Sequence, residues 1–165
     1  MVIRLLLTGG TFDKEYNEIT GELGFDKTHV DNMLQVSRYT GEVKVNQLLL
    51  KDSLDMKQAD RDLITNTCKT SEENQIIITH GTDTMVETAL DILKAQPPNK
   101  VIVLTGAMVP YSFGVKSDAI FNLGNAFAYV QVLKPGVYIS MNGHYFEADE
   151  VRKDKIVGRF TTNSS

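Results

Sequence analysis

An α/β fold, a three-layer sandwich with a mainly parallel central sheet flanked by helices, is predicted by three observations. Aliphatic runs at 2–7, 43–50, 75–79, 100–105 and 137–141 are nearly continuous rather than alternating, the pattern of strands buried on both faces. Helical patterns separate several of these runs, as in strand–helix–strand units. Two runs, Leu5-Leu6-Leu7-Thr8-Gly9-Gly10-Thr11 and Ile76-Ile77-Ile78-Thr79-His80-Gly81-Thr82-Asp83-Thr84, stop abruptly at small, hydroxyl-bearing residues. Open α/β sheets bind ligands at such strand ends.

After the first strand, the stretch 12–27 is too long for an ordinary connection and reads as a lid or binding loop, with a short exposed hairpin as the alternative. Thr28-x-x-Asp31 resembles a capping box opening a helix to about Arg38. Asp55 is placed to cap a second helix carrying Ala59, Leu63, Ile64 and Cys68. Thr84-x-x-Glu87 is a stronger capping box, followed by Val86, Ala89, Leu90 and Leu93 on one face and stopped by Pro97-Pro98. A fourth helix is expected from about Asp118 through Ile120, Leu123 and Phe127 to Val132, before the Pro135-Gly136 turn. The charged segment from Asn142 lacks a helical period and reads as an irregular arm or hairpin, with 161–165 as a frayed tail.

At 165 residues and 42% hydrophobic, the chain fits one globular domain, 1–165, able to bury roughly 70% of its unfolded surface. A single cysteine, Cys68, rules out an internal disulfide framework. The start runs straight into strand and then Thr-Gly-Gly without a small-residue cleavage site, so a cytoplasmic location is expected. No apolar run approaches the roughly 20 residues needed to span a bilayer, which argues against a membrane role. The net charge of −4 and the scattered lysines and arginines argue against nucleic acid and for a small-molecule ligand. His29, His80, His144 and Cys68 have no metal-ligand spacing, so neither a metal nor a cofactor is expected. Neither G-x-G-x-x-G nor G-x-x-x-x-G-K-[ST] occurs, which leaves nucleotide binding unsupported.

A threonine hydroxyl holds its proton tightly and becomes a nucleophile only with an adjacent base, a nearby cation or an enforced geometry. Thr11 follows two glycines that let the backbone turn sharply, and Thr82-Asp83 adds a hydroxyl, a carboxylate and another free amide. If the two strand ends adjoin, two amides converge as an oxyanion hole, which points to acyl transfer. Helix capping accounts equally well for Asp83 taken alone. His80, one residue beyond a buried strand, reads as structural rather than as the base.

Taken together, these motifs resemble the bacterial-type L-asparaginases, amidohydrolases with a threonine nucleophile. The resemblance rests on Thr8-Gly9-Gly10-Thr11, Asp52-Ser53-Leu54-Asp55-Met56, Thr79-His80-Gly81-Thr82-Asp83-Thr84-Met85, Thr105-Gly106-Ala107-Met108 with Pro110, Ser117-Asp118-Ala119 with Asn122-Leu123, and Met141-Asn142 leading to Lys153. It covers nearly the whole chain but only the N-terminal domain of the usual two-domain member, so a short-chain, single-domain form is expected. The resemblance implies that Thr11 attacks the side-chain amide carbon and forms a β-aspartyl enzyme. Thr82, Asp83 and Lys153 would form the second cluster, with a charged Lys153 easing ionisation of the Thr82 hydroxyl or a neutral Lys153 acting as base. Lys155 is the alternative lysine. The Thr11 and Thr82 amides, set by Gly10 and Gly81, would bind the oxyanion, and the Ala107 carbonyl would receive the leaving amide nitrogen. Ser53 would hold the substrate α-carboxylate and Asp83 its α-ammonium. Tyr16 is assigned as the lid aromatic, with Phe25 as the alternative. Leu54 stands where the family often carries a polar substrate-binding residue.

The expected reaction is hydrolysis of L-asparagine to L-aspartate and ammonia, with L-glutamine a poorer substrate. Competing readings are a non-catalytic amino-acid-binding or sensing module that keeps the cleft, and an amidase for a larger β-aspartyl or other amide. A homodimer is expected, because family sites lie at subunit contacts.

Overall fold

The computed structural model describes residues 1–164. Its strands are β1 (Val2–Gly9), β2 (Lys14–Asn17), β3 (Glu22–Phe25), β4 (Glu42–Lys51), β5 (Gln75–Thr79), β6 (Val101–Thr105), β7 (Gly136–Met141), β8 (His144–Glu147), β9 (Val151–Asp154) and β10 (Arg159–Thr162). The helices are α1 (Val30–Val36), α2 (Gln58–Thr70), α3 (Met85–Ala95) and α4 (Ala119–Val132). A six-stranded sheet runs in the order β4-β1-β5-β6-β7-β8. All its pairings are parallel except β7 with β8.

Register explains why the strands are aliphatic throughout. Leu5 pairs with Ile77, Ile77 with Val103 and Val103 with Tyr138, a row that faces Val30 and Met33 of α1 and Leu123, Ala126 and Phe127 of α4. The next row, Leu6, Ile78, Leu104 and Ile139, faces Ile64 and Cys68 of α2 and Met85, Ala89 and Ile92 of α3. Each large aliphatic side chain buried in these two layers contributes roughly 1.5–3 kcal/mol. Burial also pushes the Cys68 thiol pKa up to about 12, which makes it an inert core side chain.

Leu7 pairs with Thr79 and Thr79 with Thr105, so β1, β5 and β6 deliver their carboxyl ends to one edge of the sheet. The stretch 12–27 forms a 3₁₀ turn (Thr11–Asp13) and an antiparallel hairpin in which Tyr16 pairs with Leu23. The segment after Asn142 supplies the edge strand β8 and then the β9–β10 hairpin.

Several local expectations are corrected. Thr28 accepts the Val30 amide at 3.3 Å and donates its hydroxyl to Asp13, but among the described residues Asp31 does not return a bond to it, so the capping box is incomplete. Asp55 lies in a 3₁₀ turn, and the start of α2 is capped by Asp60, which takes the Lys57 amide at 2.9 Å. Thr84 stands at the N-cap of α3, but its side chain takes no helix amide and its hydroxyl instead donates to the Ser53 carbonyl at 2.9 Å. Thr161 and Thr162 are not frayed, since they pair with Arg152 and Val151 in β10. Ser165, the last residue of the expected tail, lies outside the described residues.

Candidate active site

Two glycine turns bring the two hydroxyl-bearing strand ends into contact. Gly10 has φ of +78°, and a β-carbon there would stand 2.3 Å from the Gly81 nitrogen. A β-carbon on Gly81 would in turn stand 2.5 Å from the Ser53 Oγ. Only residues without a side chain allow three backbone segments to approach this closely. The Gly10 amide is fixed on the Lys51 carbonyl at 2.8 Å, and Thr11 then opens its 3₁₀ turn half-buried at the cleft. Among the described residues the Thr11 hydroxyl has no hydrogen-bond partner.

Behind Thr11, the Asp13 carboxylate is fully buried and accepts the Thr28 hydroxyl at 3.0 Å and the His29 amide at 3.1 Å. Burial pushes its pKa up, against the lowering effect of those donors. On the other side Ser53 is buried in the turn that ends β4. Asp52 holds that turn by accepting the Leu54 amide at 3.0 Å, and it is itself ion-paired to Lys14. Leu54 projects into solvent, 69% exposed.

At the end of β5 the His80 amide donates to the Thr105 carbonyl at 2.8 Å. Its ring is wholly buried, with Nδ1 2.7 Å from the Gly81 carbonyl and Nε2 2.8 Å from the Thr88 hydroxyl. Burial brings the imidazole pKa down to about 4, so His80 is a neutral strut under the Gly81 turn. Thr82 and Asp83 follow. Lys153, delivered by β9, places its Nζ 2.7 Å from Thr82 Oγ1 and 2.7 Å from Asp83 Oδ1. The Lys153 side chain is 11% exposed while that of Asp83 is 39% exposed, so the lysine is enclosed and the carboxylate faces the opening. Such a geometry holds the lysine nitrogen against a hydroxyl, an arrangement that can activate that hydroxyl.

At the end of β6, Gly106 lies against the His80 carbonyl and Ala107 is buried beside it. The structure thus brings Gly10, Thr11, Ser53, Gly81, Thr82, Asp83, Ala107 and Lys153 to one edge of the sheet. Tyr16 stands apart on the hairpin, 55% exposed, with its hydroxyl near the Gly21 turn. It lines a groove of about 530 Å³ with Glu15, Glu18, Ser112, Phe113 and Lys116. Phe25 lies nearer the strand ends, with the Lys14 ammonium 5.9 Å from its ring centre. Sequence reasoning missed the Lys14–Asp52 pair and the hold of Thr84 on Ser53, both of which join residues distant in the chain. Among the described residues no group of three His, Cys, Asp or Glu side chains is placed to hold a metal ion. No helix of the described residues is long and apolar enough to cross a membrane.

The chain is similar to known proteins. The probable periplasmic L-asparaginase of Haemophilus influenzae is 32% identical over 164 residues, which is 92% of this chain and 46% of that protein. A glutaminase-asparaginase of Acinetobacter glutaminasificans is 36% identical over 106 residues, 62% of this chain and 30% of the relative. The solved thermostable L-asparaginase from Thermococcus kodakarensis superimposes with a TM-score of 0.85 at 27% identity, over 98% of this chain and 51% of that one. The chain therefore spans about half or less of the length of each. The family model described as "Asparaginase, N-terminal" matches residues 2–162, and with it the chain belongs to the asparaginase family.

Proposed function

We propose that this chain hydrolyses the side-chain amide of L-asparagine to L-aspartate and ammonia. Thr11 Oγ1 attacks the amide carbon, the C–N bond breaks with a proton delivered to the departing nitrogen, and water then cleaves the β-aspartyl ester. The observation that carries the reading is Lys153 Nζ, 2.7 Å from both Thr82 Oγ1 and Asp83 Oδ1, at the end of the strand that neighbours the one before Thr11. That cluster supplies the proton path. The Thr11 and Thr82 amides, turned by Gly10 and Gly81, stabilise the oxyanion, and the Ala107 carbonyl takes the leaving nitrogen. Ser53 and Asp83 hold the substrate α-carboxylate and α-ammonium. Tyr16 or Phe25 closes over the nucleophile, and L-glutamine is the poorer substrate.

This reading makes 1–165 a single catalytic domain and the protein a cytoplasmic homodimer. Support for self-association comes from Phe121 and Val132 of α4, which are 59% and 75% exposed. Sedimentation of the purified chain and fractionation of cells that express it check these two statements.

Ammonia release from L-asparagine, run beside Thr11→Ala, tests the chemistry. Release by the wild type and none by the variant is expected, and equal rates overturn the mechanism. Calorimetric binding of asparagine or aspartate without turnover would instead establish the non-catalytic binding module.

A further inference from the structure

Asp118 makes hydrogen bonds that helix capping does not require. It precedes α4, yet its carboxylate caps none of that helix's own amides. Instead Oδ1 accepts the Met108 amide at 3.0 Å and the Val109 amide at 3.0 Å, and Oδ2 lies 3.1 Å from the same Met108 nitrogen. Oδ2 also accepts Asn122 Nδ2 at 2.8 Å. Asn122 is fully buried, and its Nδ2 also donates to the Gly106 carbonyl at 2.9 Å. Its Oδ1 accepts the Asn142 amide at 3.0 Å, which fixes the amide orientation. One carboxylate and one carboxamide thus hold the whole turn after β6, joined to the end of β7.

The Met108 N–H and the Ala107 C=O belong to one peptide group. The bond is trans, so its N–H and C=O point in opposite directions. An N–H directed into the Asp118 carboxylate therefore turns the Ala107 oxygen away from Asp118. A charge-assisted hydrogen bond at the nitrogen also draws electron density onto the oxygen of the same peptide and makes it a stronger acceptor. Among the described residues no donor occupies the Ala107 carbonyl.

We propose that Asp118 is a positioning residue for amide cleavage: through the Met108 N–H it aims and polarises the Ala107 carbonyl, which holds an N–H of the leaving nitrogen. Asn122 sets the Asp118 carboxylate and the Gly106 carbonyl in register for this task. The inference rests on the asparaginase reading above, and it concerns only leaving groups that carry an N–H.

The test compares L-asparagine with L-aspartate β-methyl ester, whose departing methanol has no N–H to offer the Ala107 carbonyl. Asp118→Asn keeps the shape but replaces an acceptor oxygen with a donor group, and it is expected to lower kcat/KM for asparagine about tenfold. The value for the ester should fall less than about twofold, since hydrogen bonding to the leaving group is absent there. Equal losses on both substrates mark Asp118 as merely structural and overturn the proposal, as does no loss on either. The Met108 amide proton, followed by NMR, is expected downfield and slow to exchange in the wild type and shifted upfield in Asp118→Asn. An unchanged resonance overturns the proposal independently of activity. A wild-type protein inactive on both substrates refutes the functional reading itself, before any variant is made, and the inference with it.

Discussion

The two strand ends share one sequence grammar and end in opposite physical states. Thr82 is 6% exposed, its hydroxyl is engaged by Lys153, and the helix that follows is anchored through fully buried Met85. Thr11 is half-buried, its hydroxyl is unengaged among the described residues, and it leads into a hairpin whose strands are largely exposed. Two hydroxyls beyond the ends of neighbouring parallel strands therefore differ in what is built around them. One is already set against a cation, and the other is open to a ligand. This asymmetry suits a division of labour in which the open hydroxyl attacks and the engaged one moves protons.

The largest effect should come from the open side. Thr11→Ala is expected to lower the rate of ammonia release by about a thousandfold or more while leaving the unfolding midpoint nearly unchanged. A variant that keeps a tenth of the activity would erase the assigned difference between the two hydroxyls.

Next in size is an effect on stability confined to the engaged side. The folded-state pKa of His80, about 4, lies below its ordinary 6.5. The unfolded chain therefore takes up that proton first as the pH falls. Stability from this group is complete above about pH 6.5 and declines towards pH 4, by on the order of 3 kcal/mol. Urea unfolding at pH 8 and pH 5 should show the loss in the wild type and a flatter dependence in His80→Gln. Parallel profiles would mean that the Gly81 turn does not depend on the neutral ring.

Lys153→Met removes the cation from Thr82 and should slow asparagine hydrolysis by about a hundredfold, whereas Lys155→Met should change it less than about twofold. Reversal of that order would move the cluster to the other lysine. The smallest effects belong to the hairpin. Tyr16→Ala and Phe25→Ala should each alter stability by less than about 0.5 kcal/mol for Tyr16 and about 1 kcal/mol for Phe25. Whichever of the two lowers kcat about tenfold is the aromatic that covers Thr11.

How much of this was legible in the sequence follows from the range of each interaction. Strands such as 75–79 were readable because burial on both faces leaves an aliphatic run, and α4 because its apolar period and the Pro135-Gly136 stop are local. The capping boxes expected at Thr28 and Thr84 and the cap expected at Asp55 did not form as such, although Thr28 still takes the Val30 amide. Each side chain, or the helix start it was meant to cap, found a different partner, and for Thr28 and Thr84 that partner came from a distant segment: Asp13 and the Ser53 carbonyl. Thr161 and Thr162 looked like a tail because nothing near them in sequence announces pairing with β9. In the site, the glycine turns and paired threonines were visible as composition. Lys153 was not, because it reads as one charge in Arg152-Lys153-Asp154-Lys155 until the fold carries it to Asp83. Only the family resemblance singled it out. Asp118 and Asn122 stood in the same motifs without a role, since the amides that Asp118 accepts belong to a turn that has no shape before the sheet exists.

The contact between Gly10 and Gly81 has a consequence for a chain still being made. During synthesis the turn bearing Thr11 can settle on Lys51 first, and its contact with Gly81 forms only later. Thr82 then waits for Lys153, which comes 71 residues later. A nascent chain therefore carries the open hydroxyl without the cluster that would move its protons until Lys153 has been made. The proposed chemistry then begins only once β9 has brought Lys153 to Thr82.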